Sequence, residues 1–261
     1  MTNTTTHESR ARVTQPDSNA PAAAFFDLDG TLIPGSANIP LAKAAFRAGL
    51  VSPWELLTDI RNGLSFLLKG ATDQRSVQVR DRILRAVAGH PAAEVEALGD
   101  HFIADLVASV PPVMSAELVR QAAAGRDRIV LSASPTEIVS RFALELGLEG
   151  GTGTTSERDG EGRYTGRLAG PFCYGEGKLE VMLDLAQEAG YDLAASYAYS
   201  DSISDLPLLE AVGHPVAVNP EPALRAVAVD RGWRLVETSS LPRMSLPSWQ
   251  SIGRITRTVR A

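Results

Sequence analysis

The chain has 261 residues, of which 44% are hydrophobic and 21% charged, with a net charge of −6 and an isoelectric point near 5.3. That length buries a sizeable core, as one large α/β domain or as a core with an insertion, and the acidic balance argues against broad nucleic-acid binding. The one cysteine, Cys173, excludes an internal disulfide, and four histidines without Cys/His spacing leave no zinc site, so any metal should be held by oxygen ligands, with magnesium favoured.

In chain order, Met1 to about Ala20 is rich in Thr, Asn and Ser and predicts a disordered tail. It has neither a basic start nor an apolar stretch, and no long uncharged apolar run follows elsewhere, so a cytoplasmic protein without a membrane span is expected. The run Ala22 to Phe26 then reads as a buried strand, ending in Asp27-Leu28-Asp29-Gly30-Thr31. Asp and Gly are ordinary turn residues. Two acids at the carboxyl end of a strand are also where an open α/β sheet places its ligand, and Gly30 lets the chain turn with its amides free.

From about Ile39 to Gly125 the pattern is helical. Apolar stripes run through Leu41, Ala45 and Phe46, through Trp54 to Leu68, through Val79, Ile83, Leu84 and Val87, and through Val95 to Val107, before Pro111-Pro112 ends the last. Core packing between helices accounts for each stripe. Their placement is more informative, because a helical block directly after a strand carrying two acids is longer than an ordinary crossover and suits a lid.

The core resumes at Asp127, where an apolar run ends in Ser132-Ala133-Ser134-Pro135 and a helix with Ile138, Val139, Phe142 and Leu146 follows. Gly150 to Leu168 predicts a hairpin on the sheet margin. Lys178 opens a helix closed by Gly190. Ser196 to Tyr199 is a short strand whose end delivers Ser200-Asp201-Ser202-Ile203-Ser204-Asp205. Pro215 to Val218 is another strand, and Trp233 to Val236 a candidate edge strand. After Glu237 the chain carries Arg243, Arg254, Arg257 and Arg260 but no acid, with Trp249, Ile252, Ile255 and Val259 near helical spacing. A tail packed on the core or frayed is the favoured reading, over an amphipathic helix touching an anionic membrane surface.

Each polar signal has an ordinary reading alone: a serine ending a strand, a solvated lysine at a helix start, two acids capping a helix. Taken in order, they resemble the four signatures of the haloacid dehalogenase superfamily. Asp27 to Asp29 match the first, Ser132 the second, Lys178 the third, and Asp201 with Asp205 the fourth. The likeness spans roughly Ala23 to Val218 and is greatest to the phosphoserine-phosphatase-like branch. It implies a Rossmann-like parallel-sheet α/β core (21–35 and 122–240), with a helical cap (36–121) inserted after the first core strand and a tail over 241–261.

The same resemblance implies a Mg²⁺-dependent phosphomonoesterase acting on a small phosphorylated metabolite. Asp27 would be the nucleophile forming an aspartyl-phosphate, and Asp29 the acid and then base; dehalogenase members lack a carboxylate there, since their leaving group needs no proton. Ser132, the following Ala133 amide and Lys178 would bind the phosphoryl group. The metal would be held by Asp27, the Asp29 backbone and Asp201, with Asp205 in an outer position or orienting Lys178. Ser204 departs from phosphoserine phosphatases, where asparagine is usual. At Ser36 those enzymes carry a glutamate that pairs with the substrate's amino group. Ser36 and the nearby Asn38 are uncharged, so specificity for another ester is expected, unless a cap acid such as Asp59 or Asp73 substitutes. A phosphotransferase, or a non-catalytic binding protein on the same fold, are the alternatives, and the oligomeric state is open.

Overall fold

The computed structural model describes residues 20–49 and 73–238. The stripe from Trp54 to Leu68, Asp59, both tails and the arginine-rich C-terminal stretch lie outside the described residues.

Six parallel strands form the main sheet: β1 (Ala23–Asp27), β2 (Asp127–Pro135), β3 (Gly150–Thr154), β4 (Tyr197–Ser200), β5 (His214–Val218) and β6 (Arg234–Val236). Their order across the sheet is β3-β2-β1-β4-β5-β6. The chain winds outward from β1 in one direction and then returns to build the other half. β1 therefore stands where the strand order reverses, and the carboxyl end of such a strand opens onto a crevice.

Alternation along β1 explains the layering. Ala24 and Phe26 face one core cluster with Val130, Tyr199, Val216 and Val218, while Ala23 and Phe25 face a second with Ile129, Leu131, Ala198 and Ala217. Both faces are covered, so β1 is apolar from Ala23 to Phe26 and buried along its whole length, Asp27 included. Phe26 and Tyr199 stack across the β1–β4 pairing with ring centroids 4.3 Å apart.

Among the described residues the helices are α1 (Asn38–Arg47), α2 (Asp73–Val87), α3 (Ala92–Leu98), α4 (Ile103–Ala108), α5 (Pro112–Ala123), α6 (Thr136–Glu145), α7 (Glu176–Ala189), α8 (Leu206–Glu210) and α9 (Pro222–Asp230). The stripe from Val95 to Val107 is not one helix. It breaks at the 3₁₀ turn Gly99–His101, and Phe102 leaves helical geometry with φ −149°. Gly99 is a weak helix former, and its bare Cα lets Ile103, Ile138 and Arg141 approach. The domain boundary drawn at residue 121 falls within α5. That helix packs on the sheet, with Met114 and Leu118 in the first core cluster.

The expected hairpin also divides. Gly150–Thr154 is the edge strand β3 of the main sheet, and only Ser156–Arg158 and Tyr164–Leu168 pair antiparallel. Glycines let β3 lie close to its neighbours: a Cβ on Gly151 would sit 2.6 Å from Ala143, and one on Gly153 2.1 Å from the Ser134 carbonyl. The hairpin then backs onto the helical block. Gly89 N–H donates to the Tyr164 carbonyl at 2.7 Å, and Tyr164 N–H donates to that of His90 at 3.0 Å.

Candidate active site

β1, β2 and β4 deliver the polar residues to one end of the sheet. Asp27 is the last residue of β1 and pairs with Leu131, which places Ser132 one step beyond it on the neighbouring strand. Ser200 ends β4, and the chain then turns through Asp201 into a 3₁₀ turn ending at Asp205. Glu221 fixes that turn by accepting the Ile203 N–H at 2.7 Å.

Lys178 is the centre of the arrangement. It lies in the first turn of α7, is 3% exposed, and donates to Asp27 Oδ1 and Asp205 Oδ2 at 2.7 Å each. Gly175 opens the helix with φ +56°, and a Cβ on Gly177 would lie 2.1 Å from the Phe172 carbonyl, so the glycines around Lys178 allow this tight entry. Ser200 Oγ donates to Asp205 Oδ2 at 2.7 Å, so Asp205 is held from two sides, while its Oδ1 is buried without a hydrogen-bond partner.

Asp201 lies over Gly30. A Cβ there would come within 2.2 Å of Asp201 Oδ2, and Gly30 takes φ +80°, which favours glycine. Thr31 Oγ1 donates to Asp201 Oδ1 at 3.5 Å. Asp29 is turned toward the segment leading into α1, where Ser36 Oγ donates to its Oδ2 at 2.7 Å and Ala37 N–H to its Oδ1 at 2.9 Å. Ser132 is buried and accepts the Ser134 N–H at 3.1 Å. Ser134 Oγ in turn donates to Asn38 Oδ1 at 3.4 Å.

The carboxylates crowd one another. Burial pushes Asp27 up to about 7 against the pull of Lys178, with Asp205 and Asp29 adding repulsion. Burial likewise raises Asp201 to about 8, helped by Asp27 and Asp205. Burial also raises Asp29, with Ala37 and Ser36 working against it. Burial alone would lower Lys178, but Asp205 and Asp27 outweigh it and hold the ammonium charged. Cys173 is buried nearby and pushed up to about 12, chiefly by burial, which leaves it an inert thiol.

Among the described residues no group of three or more His, Cys, Asp or Glu side chains converges as a metal site. With both Asp29 oxygens turned to Ser36 and Ala37, and Asp205 held between Lys178 and Ser200, the side-chain carboxylates left for a cation are Asp201 and Asp27, of which Lys178 takes only Oδ1. That oxygen set suits Mg²⁺, which is typically held by one or two carboxylates and keeps several waters. The repulsion between them and the unpartnered Asp205 oxygen both fit a nearby cation with its water shell.

The sequence profile of haloacid dehalogenase-like hydrolases matches residues 24–210. The chain belongs to that family. Together with relatives named as phosphatases, this makes it a phosphoric monoester hydrolase. A probable phosphatase of Mycobacterium tuberculosis is 39% identical over 228 residues, 86% of this chain and 79% of the relative. A phosphoserine phosphatase of the same organism is 32% identical over 244 residues, 92% of this chain and 79% of the relative. A crystal structure of a Bordetella pertussis protein of unknown function superimposes with a TM-score of 0.73 at 30% identity, covering 84% of this chain and all of that one. Among the described residues no helix is long and apolar enough to cross a membrane.

Thr31, Ser200 and Glu221 carry no role in the sequence reading. Thr31 stood within the first motif and Ser200 beside the fourth, so their neighbours were the available signal. Glu221 meets Ile203 through tertiary folding alone.

Proposed function

We propose that the protein is a Mg²⁺-dependent phosphomonoesterase that hydrolyses a small phosphorylated metabolite through an aspartyl-phosphate on Asp27, and that phosphoserine is not its preferred substrate. The observation that carries the reading is Lys178, buried and bonded to both Asp27 and Asp205. A buried ammonium shared by two acids at the end of β1 offers charge neutralisation where a phosphoryl group would sit.

In this reading Asp27 attacks phosphorus as the bond to the leaving oxygen breaks, and Asp29 gives that oxygen its proton. Asp29, then ionised, takes a proton from the water that attacks the phosphoenzyme, releasing phosphate and restoring both acids. Lys178, the Ser132 hydroxyl and the Ala133 amide balance the phosphoryl oxygens. Asp27, Asp201 and the Asp29 carbonyl would hold the Mg²⁺, which when bound offsets the negative charge of the carboxylates and phosphate.

The specificity proposal rests on the residues that lead into α1. A substrate ammonium buried without a counter-charge is disfavoured, and neither Ser36 nor Asn38 supplies one. The phosphoserine phosphatase relative makes phosphoserine the necessary comparison. Phosphate release from p-nitrophenyl phosphate, with and without Mg²⁺, tests the activity. Acid-quenched protein should carry covalent phosphate that Asp27→Asn lacks. A panel of phosphorylated metabolites decides specificity: a highest kcat/KM for phosphoserine would overturn that part, and activity surviving thorough chelation would overturn the metal.

A further inference from the structure

The segment from Asp29 to Asn38 closes on itself. Gly30 N–H donates to the carbonyls of Ile33 and Gly35 at 2.9 and 3.0 Å, and Leu32 and Ile33 N–H both return to the Leu28 carbonyl. Gly35, with φ +89°, turns the chain so that Ser36 and Ala37 come back over Asp29. Consecutive residues therefore occupy both oxygens of one carboxylate.

The Ser36 hydroxyl has little freedom in this setting. Its oxygen accepts the Asn38 N–H at 3.3 Å, so its one proton is directed to Asp29 Oδ2. Two residues later Asn38 is tied to Ser134 on β2. The first turn of α1 is thereby anchored to Asp29 on one side and to the end of the β2 strand on the other. The proton and one lone pair of this hydroxyl are both in use within the loop, which leaves it no hydrogen to donate to a substrate.

We infer that Ser36 is a positioning residue for Asp29: its hydroxyl fixes the orientation in which that carboxyl group serves the leaving oxygen, and couples it to the start of the helical block. The inference rests on the phosphomonoesterase reading above and deepens it. A weakly basic leaving group such as p-nitrophenolate departs without protonation, whereas an alkoxide needs it. Because kcat/KM reports steps up to leaving-group departure, loss of the Ser36 hydroxyl should fall selectively on alkyl esters.

The test compares wild type, Ser36→Ala, Ser36→Thr and Asp29→Asn with Mg²⁺, using p-nitrophenyl phosphate and glycerol 2-phosphate. For Ser36→Ala, kcat/KM should fall about tenfold or more on the alkyl ester and less than about threefold on the aryl ester, a reduced form of the Asp29→Asn pattern. Inhibition by inorganic phosphate should stay unchanged, and Ser36→Thr should restore the alkyl activity. Equal losses on both esters, or Ser36→Ala as active as wild type on glycerol 2-phosphate, would overturn the inference. Wild-type protein inactive on both esters would instead overturn the phosphomonoesterase reading itself.

Discussion

Gly30 and Asp201, far apart in sequence, meet so closely that a single added methyl group on Gly30 would stand 2.2 Å from Asp201 Oδ2. The contact locks the turn after β1 to the turn after β4. Gly30→Ala should therefore act twice, straining a backbone at φ +80° by about 1–2 kcal/mol and displacing a proposed metal ligand. Phosphatase activity at fixed Mg²⁺ should fall by about two orders of magnitude or more, with part recovered at high Mg²⁺. Unchanged Mg²⁺ dependence in a folded Gly30→Ala protein would show that Asp201 has no part in metal binding.

Lys178 couples function to stability. Exchanging it for Met leaves Asp27 and Asp205 facing each other without their shared cation, and removing one partner from a buried ion pair costs about 3–5 kcal/mol. Activity should drop by about 10² or more, because the proposed phosphoryl site also loses its cation. Lys178→Arg should not restore it, since a planar fork cannot replace a point charge sharing one nitrogen between two acids. Urea melts and phosphate release on the same preparations check both halves. A Met variant of normal stability would mean that the two acids take up protons freely when Lys178 is absent.

Asp201 should show the opposite trade. Burial and repulsion from Asp27 raise its carboxyl to about 8, so in metal-free protein its charge opposes folding. Asp201→Asn should melt in chelator at or above the wild-type temperature. Added Mg²⁺ should raise wild type alone, by about 2.7 kcal/mol at a concentration one hundred times Kd, and reverse the order. Thermal melts with and without Mg²⁺ test this. An equal Mg²⁺ shift in both proteins would locate the cation elsewhere.

Much of this organisation was legible in the sequence because the strands around the site are short apolar runs that stop abruptly at polar residues. Phe25-Phe26-Asp27 and Val130-Leu131-Ser132 announce both a buried strand and its carboxyl end, and Lys178 stands out as a cation where a helix start disfavours one. β3 was obscured because its Gly-Gly-Thr-Gly-Thr sequence has no hydrophobic alternation; it is a strand on account of neighbours that need room. The broken helix at Gly99 was masked by a continuous apolar stripe. Ser36 was read by position relative to Asp27, whereas its hydrogen bond to Asp29 depends on how Gly35 turns the loop. Ser200 stood beside the fourth motif without a role, because its partner Asp205 returns to it only through a 3₁₀ turn.

Glu117 and Arg234 illustrate what spacing cannot reveal, and they supply a pH prediction away from the site. Glu117 on α5 is 3% exposed, and Arg234 on the edge strand grips both its oxygens, with Nη1 at 2.8 Å from Oε2. Tyr199 OH donates to Oε2 at 3.1 Å, and Gln121 Nε2 donates to Tyr199 at 2.6 Å, so α5 is pinned to β4 and β6. The Arg234 hydrogen bonds hold Glu117 below the ordinary carboxylate range despite burial. A depressed folded value stabilises the protein above the unfolded value of about 4.3, and that contribution disappears as pH falls through the folded one. Glu117→Gln should therefore be less stable than wild type at neutral pH, and the gap should narrow steadily below about pH 4.3. Arg234→Met should be worse at neutral pH, by about 1–3 kcal/mol, because it leaves the buried Glu117 charge with only the more distant Arg120, 3.4 Å away, as its cation. Urea denaturation of the three proteins between neutral and acid pH measures these gaps. A difference between wild type and Glu117→Gln that stays constant down to the acid transition would mean that packing of α5, and not the charge on Glu117, holds the helix to the sheet.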